Sequence, residues 1–251
     1  MPGLTQAQTI ECFHLAFVQV LSSRFNQQHY VLKGGTNLRY FFNSHRYSED
    51  IDFDAVIEEV WKLEEKVDDV LGSAAVTALL RSKGITVARV TKPKQTDTTQ
   101  RWKVLLAVAG RDATISTKIE FSRRNGDRRR LLEAVPDRVV APYALRPPTL
   151  FHYTAAPAIE QKIKALALRM ETQARDVFDL DLLLRRHPIA AEAVEPQTRE
   201  RAVQRALELP VAAFRDQVAP FLDLEVAELY TDPATWEQMQ TFVAERLSVA
   251  R

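Results

Sequence analysis

The segment Leu32-Lys33-Gly34-Gly35-Thr36, followed by Asp50-Ile51-Asp52-Phe53, constrains this chain more than any other feature. Glycine is scarce, seven in 251 residues, and Gly34 and Gly35 are the one adjacent pair. Without a Cβ, such a pair bends sharply and lets other groups come close to the backbone. Tyr30, Val31 and Leu32 predict a short strand leading into the turn, with Thr36 placed to cap a helix starting near Asn37. Strand side chains alternate, so Asp50 and Asp52 share one face while Ile51 and Phe53 take the other. A helix N-terminus suits an anion. Two carboxylates on one face suit a hard divalent cation such as Mg²⁺. Gly-Gly alone is usually only a turn, and Asp-x-Asp alone occurs on loops and caps; their order and separation set this chain apart.

The length allows one large or two small domains with an ample core, and the 46% apolar and 27% charged residues are an ordinary globular balance. A net charge of +1 excludes a bulk basic nucleic-acid binder, so a nucleic-acid partner needs a local patch. The single cysteine, Cys12, excludes an internal disulfide, suits a reducing compartment and lies among Ile10, Phe13 and Phe17, where a buried apolar role is expected. His14 and Gln19 interrupt the first apolar run, which predicts an amphipathic helix rather than a signal peptide. No apolar stretch approaches membrane-spanning length, and a cytoplasmic protein is expected.

Helices are predicted over residues 5–27, 37–43, 56–71 and 74–82, the last ended by Gly84. Residues 50–53 and 85–90 predict strands, and 92–99 reads as a polar connection. Residues 102–109, a Gly110-Arg111-Asp112 turn and residues 114–122 predict a hairpin. In its second strand Ser116, Lys118, Glu120 and Ser122 share one face and Ile115, Thr117, Ile119 and Phe121 the other. Glu120 is then an acid behind which a core can pack, although an exposed hairpin gives the same pattern. Arginines crowd positions 123–130 and prolines follow at 142, 147 and 148, so about 123–150 reads as a linker. Beyond it the chain reads as all-helical, with an Ile159, Ile163, Leu166, Met170 stripe and later helices near 197–208, 211–221 and 234–248, into which Trp236 and Phe242 pack. Taken alone, Arg175, Asp176 and Asp179 are helix-surface charges with an Arg175–Asp179 pair at i, i+4.

Lys33-Gly34-Gly35-Thr36-x-Leu38-Arg39, then Arg46-x-Ser48-x-Asp50-x-Asp52, resembles the signature of the nucleotidyltransferase superfamily that includes polymerase β. More narrowly it is similar to the AbiEii/MenT branch, the toxin components of bacterial toxin–antitoxin systems. Lys162-x-x-Ala165-Leu166-x-x-Arg169 and Arg175-Asp176-x-x-Asp179-Leu180 resemble the same branch.

The resemblance implies an α+β fold. A nucleotidyltransferase-like mixed β-sheet domain with flanking helices would span 1–135, an all-α helical domain would span 150–251, and a cleft would lie between them. It implies that Glu120 is a third acid, so that Asp50, Asp52 and Glu120 hold a pair of Mg²⁺ or Mn²⁺ ions. Gly34 and Gly35 N–H groups and the Thr36 hydroxyl would meet the β- and γ-phosphates of an NTP, with Lys33 and Lys118 close by. Arg46 and Ser48 either steer phosphates or brace the strand, a structural ion pair being the alternative for Arg46. Lys162 would bind phosphate and Asp176 would be a further catalytic acid. Fourteen residues span roughly 21 Å of straight helix, so the two reach one nucleotide only if the helix breaks near Glu171-Thr172-Gln173. The implied activity is transfer of NMP from an NTP to an RNA hydroxyl, tRNA ends in particular, with a separately encoded cognate antitoxin. The arginines at 123–130 then have two readings, a solvated face or a grip on RNA phosphates. Protein nucleotidylation and a non-catalytic nucleotide-binding regulator are the alternatives; clustered like charges argue against the second.

Overall fold

The computed structural model describes residues 3–56, 59–123, 129–187, 191 and 193–249. By its contacts the chain divides into two units, Met1–Phe41 with Tyr47–His152, and Phe42–Arg46 with Tyr153–Arg251.

The first unit is built on a seven-stranded mixed sheet in the order β3-β4-β5-β2-β1-β7-β6. Its strands are β1 (Tyr30–Lys33), β2 (Asp50–Ala55), β3 (Ile85–Gln95), β4 (Thr99–Val108), β5 (Ile115–Ser122), β6 (Arg130–Ala134) and β7 (Thr149–Tyr153). β2 runs antiparallel to β1 and parallel to β5, and β3, β4 and β5 form an antiparallel meander. One face is covered by α1 (Gln6–Arg24), α3 (Val60–Leu71) and α4 (Ala74–Arg81). Thr5 and Gln8 close a reciprocal capping box at the start of α1, and Ser73 caps α4. Trp102 is fully buried in the core, and its indole N–H donates to Asp68 of α3 at 2.8 Å.

The core side fixes which side chains reach the open face. Phe53 of β2 and Phe121 of β5 are opposite one another in register and stack at 4.8 Å. Each buried phenyl contributes about 1.5–3 kcal/mol. A one-residue slip would drive Asp50, Asp52 and Glu120 into the core, so apolar packing enforces the acidic face.

Three expectations about this unit are corrected. Residues 92–99 are not a connection: β3 runs to Gln95, the turn is confined to 96–98, and β4 starts at Thr99. The stretch is polar because β3 is an edge strand with one open face, and polarity there mimics a loop. The stretch 123–150 carries β6, the short helix α5 (Asp137–Val140) and the start of β7, which pairs in parallel with β1 through Leu32 and His152. Finally, α2 (Gly34–Phe41) begins at the glycines, so Thr36 lies within its first turn rather than capping it.

The second unit contains α6 (Ala155–Leu168), α7 (Ala174–Arg186), α8 (Pro196–Glu208), α9 (Val211–Gln217), α10 (Leu224–Ala227) and α11 (Pro233–Val249). Ile159, Ile163, Leu166, Leu180, Leu184, Val243 and Trp236 are buried in it. The Trp236 indole and the Gln240 amide both donate to the Leu209 carbonyl, tying α11 to the end of α8. Phe242 is half-buried with Arg185 stacked 4.3 Å above it. Met170 does not continue the apolar stripe: α6 ends two residues earlier and Met170 is 99% exposed. Among the described residues no helix is long and apolar enough to cross a membrane.

Candidate active site

Strand register brings the expected acids together. Asp50 lies opposite Lys118, Asp52 opposite Glu120, and Lys33 opposite Asp52 on the other side. All are half-buried, on the face away from the core. Asp50 Oδ1 accepts the Lys118 backbone N–H at 3.1 Å, and Oδ2 receives the Lys118 ammonium at 2.7 Å. Glu120 Oε2 receives the guanidinium of Arg101, its neighbour on β4, at 2.6 Å. A fourth acid, Asp54, has the same parity as Asp50 and Asp52, is buried, and holds the Lys33 ammonium. The alternating Asp-x-Asp-x-Asp pattern could have revealed it; Arg101 carried no signal until β4 was paired with β5.

The motif's hydroxyls hold the acidic strand in place. The Asp50 carbonyl accepts from Thr36 at 2.9 Å and from Ser48 at 2.8 Å. Thr36 therefore gives its one proton to the strand, and Ser48 donates to the same carbonyl. Lys33, expected near a nucleotide, is engaged by Asp54. Gly34 takes φ +70°, and a Cβ there would lie 2.8 Å from Asp52 Oδ2. Gly34→Ala is accordingly expected to cost about 1–2 kcal/mol in backbone strain and to push the Asp52 carboxylate aside. Urea unfolding and turnover measure the two losses; full turnover in the variant would show that the position of Asp52 is immaterial.

One residue earlier, the Glu49 carbonyl accepts from Thr117 at 2.7 Å, and Thr117 lies 2.8 Å from Nε2 of the buried His14 on α1. The hydroxyl has a single proton, so His14 is the donor and carries its hydrogen on Nε2. Burial holds His14 far below its usual 6.5, at about 3. The unfolded chain takes up a proton near pH 6.5 that the folded protein refuses until about pH 3. Stability present above pH 6.5 is thus lost as pH falls, by about 1.4 kcal/mol per unit across that window. His14→Gln keeps a donor and removes the titration. It is expected to flatten the slope of unfolding free energy against pH, and an unchanged slope would contradict a buried neutral ring. Cys12 is buried as expected, which raises its thiol to about 11 and leaves it unreactive.

The second unit has buried charges of its own. α6 stops at Leu168 and α7 starts at Ala174, the break that residues 171–173 were expected to make. It lets the Lys162 ammonium reach Asp176 Oδ1 at 2.9 Å and Asp179 Oδ2 at 2.6 Å. Arg46 grips Asp179 with a fork, Nε to Oδ1 at 3.2 Å and Nη2 to Oδ2 at 2.9 Å, while Arg169 lies 3.5 Å from Asp176 Oδ2. Asp176 and Asp179 are fully buried, so the reading of these acids as helix-surface charges is corrected. Burial pushes the Asp179 carboxyl up, but Arg46 and Lys162 outweigh it and hold the group below its usual range. Of the two readings of Arg46, the structural ion pair is the observed one.

Of the arginines at 123–130, Arg124 and Arg128 lie outside the described residues. Arg123 bonds Gln100 Oε1, and Arg130 stacks 4.6 Å above Phe151, so both are tied to the fold. Concave surfaces of about 650 Å³ along α4 and about 780 Å³ between α1, α4 and Arg146–Thr149 are lined by none of the acidic-face residues.

Asp50, Asp52 and Glu120 offer only hard oxygen donors on one face, a set that suits Mg²⁺ or Mn²⁺. They are not a ready-made cage. Among the described residues no three Asp, Glu, His or Cys side chains stand close enough to hold a metal ion. Like charges on adjoining strands repel, and Lys118 and Arg101 neutralise Asp50 and Glu120 individually.

The mixed sheet and helical unit together are a nucleotidyltransferase fold. Two Helicobacter pylori structures share it: a candidate nucleotidyltransferase (TM-score 0.65, 21% identity, covering 98% of this chain and 96% of that one) and JHP933 (TM-score 0.63, 20% identity, 98% and 94%). A search of curated proteins gives no match. The family model "Nucleotidyl transferase AbiEii toxin, Type IV TA system" matches residues 16–245, and the chain belongs to that family of nucleotidyltransferases. Membership implies a nucleotide substrate and an antitoxin partner.

Proposed function

We propose that this toxin transfers a nucleoside monophosphate from an NTP to a hydroxyl of an RNA acceptor, tRNA being the foremost candidate. The observation that supports the chemistry is the sharing of one open sheet face by Asp50, Asp52 and Glu120, next to the start of α2 at Gly34. The acceptor oxygen bonds to the α-phosphorus, the bond from that phosphorus to the bridging oxygen breaks, and pyrophosphate leaves. When bound by Asp50, Asp52 and Glu120, Mg²⁺ or Mn²⁺ supplies charge stabilisation and a lowered hydroxyl pKa. Glu120 takes the acceptor's proton. The Gly34 and Gly35 N–H groups, at the positive end of α2, face the β- and γ-phosphates. Lys118 and Lys33 move from Asp50 and Asp54 toward the triphosphate as it binds. Thr36, Ser48 and, through Thr117, His14 keep β2 in position, so the site is preorganised. Family resemblance assigns Lys162 and Asp176 to the same reaction.

The test is incubation with each labelled NTP, Mg²⁺ and either total tRNA or cell protein. Label on RNA is the expected result. Label on protein alone would replace the acceptor assignment with protein nucleotidylation. Nucleotide binding without incorporation would point to a regulator.

A further inference from the structure

The three strands on the β3 side of the sheet are strongly asymmetric in charge. β3, β4 and β5 carry six Lys or Arg (Arg89, Lys92, Lys94, Arg101, Lys103 and Lys118) against one acid, Glu120. The chain as a whole is nearly balanced at 34 to 33. Register assigns these cations to faces. Lys103 pairs with Lys118, Arg101 with Glu120, Arg89 with Leu105 and Lys94 with Arg101, which puts Arg89, Lys94 and Lys103 on the face of Asp50 and Asp52.

Lys94 reaches that face only because of an irregularity. Lys92 and Lys94 are two residues apart and would share a face on a regular strand. Between Thr91 and Lys94 the register shifts, with Pro93 in the extra space. Proline has no N–H for the ladder and is tolerated at a bulge on an edge strand, where the bulge re-aims the next side chain. Lys92 accordingly turns toward α3, where Glu64 and Asp68 receive it, and Lys94 turns the other way. Arg89, Lys94 and Lys103 are exposed, and none of them pairs with a carboxylate among the described residues.

Lysine on an edge strand also blunts edge-to-edge association. That accounts for Arg89 and Lys94 but not for Lys103 and Arg101, which lie on an interior strand. Same-face neighbours two residues apart stand about 7 Å from one another along a strand, and strands are about 4.8 Å apart. Together the cations make a positive platform that starts at the acids and extends two strands outward. It carries no aromatic ring on this face, Trp102 of β4 being buried on the other, so it offers charge and no base-stacking surface.

We propose that this platform of Arg89, Lys94 and Lys103 binds the phosphodiester backbone of the RNA acceptor, without reading base sequence, and leads its reactive end to Asp50, Asp52 and Glu120. The proposal rests on the RNA-acceptor reading above. Binding here is electrostatic, so it releases counterions and weakens steeply with salt.

The test uses the full chain and fluorescently labelled unfractionated tRNA, followed by anisotropy at increasing KCl, with NTP affinity and label transfer measured in parallel. The R89Q/K94Q/K103Q variant is expected to bind tRNA about tenfold or more weakly near 100 mM salt, with a log–log salt slope shallower by about 2–3. Its NTP affinity and thermal midpoint are expected to match wild type. Lys92→Gln, on the other face of the same strand, is expected to shift tRNA binding less than about twofold. Wild type that labels RNA, with triple-variant affinity and slope unchanged, overturns the platform and leaves the RNA-acceptor reading standing. An equal loss from Lys92→Gln and Lys94→Gln also overturns it, because net charge would then be responsible. Label found only on protein overturns the acceptor reading and the platform together.

Discussion

Asp179→Leu is expected to remove about 3–5 kcal/mol of stability, the usual consequence of breaking a buried ion pair from one side. Asp179 is fully buried and takes charge from both Arg46 and Lys162. Leucine removes a carboxylate from the Arg46 guanidinium, itself 4% exposed. Lys162 keeps Asp176 at 2.9 Å. The double change Arg46→Met with Asp179→Leu is expected to recover part of the stability, since well-packed apolar side chains replace buried pairs at little cost. Urea denaturation of the two singles and the double measures the coupling. A single-variant loss under about 1 kcal/mol would mean that the cluster is not the structural core of the helical unit. The pH dependence has the same sign as for His14 but a different window. Asp179 titrates below its usual 3.8 in the folded chain, so its contribution is complete above that value and is lost as pH falls through the folded one.

Asp52→Ala is expected to reduce nucleotide transfer by about 10³-fold or more, equivalent to about 4 kcal/mol of transition-state stabilisation. Asp52 is half-buried on the open face, with Glu120 beside it on β5 and the Gly34 backbone against its carboxylate. Its back neighbours Ile51 and Phe53 supply the packing. The change is therefore expected to alter folding stability by less than about 1 kcal/mol. Single-turnover transfer and a thermal melt separate the two effects; unchanged turnover in a folded variant would remove Asp52 from the chemistry.

Features written in local periodicity were legible in the sequence. Alternation over residues 50–53 put Asp50 and Asp52 on one face and alternation over 115–122 put Glu120 on one face of its own strand, the family resemblance joined the three, and arithmetic on helix length offered a break near Glu171-Thr172-Gln173 as one of two ways to reconcile Lys162 with Asp176. Features that depend on partners far along the chain were not. β7 pairs with β1 across more than a hundred residues, and a proline pair precedes it, so the start of β7 has the local look of a linker. Arg46 stands in the acidic-strand motif, yet its partner Asp179 lies 133 positions away. Nothing local indicates that the Asp50 carbonyl takes two donors, Thr36 and Ser48. The β3 bulge was hidden because Pro93 within a lysine-rich run has the composition of a loop.

The most direct measurement is a difference map from crystals soaked with an NTP and Mn²⁺. Anomalous density against the carboxylates of Asp50, Asp52 and Glu120, with the triphosphate over the Gly34–Gly35 backbone, is the expected result. Nucleotide bound elsewhere, or Mn²⁺ absent from those oxygens while the triphosphate is in place, contradicts it.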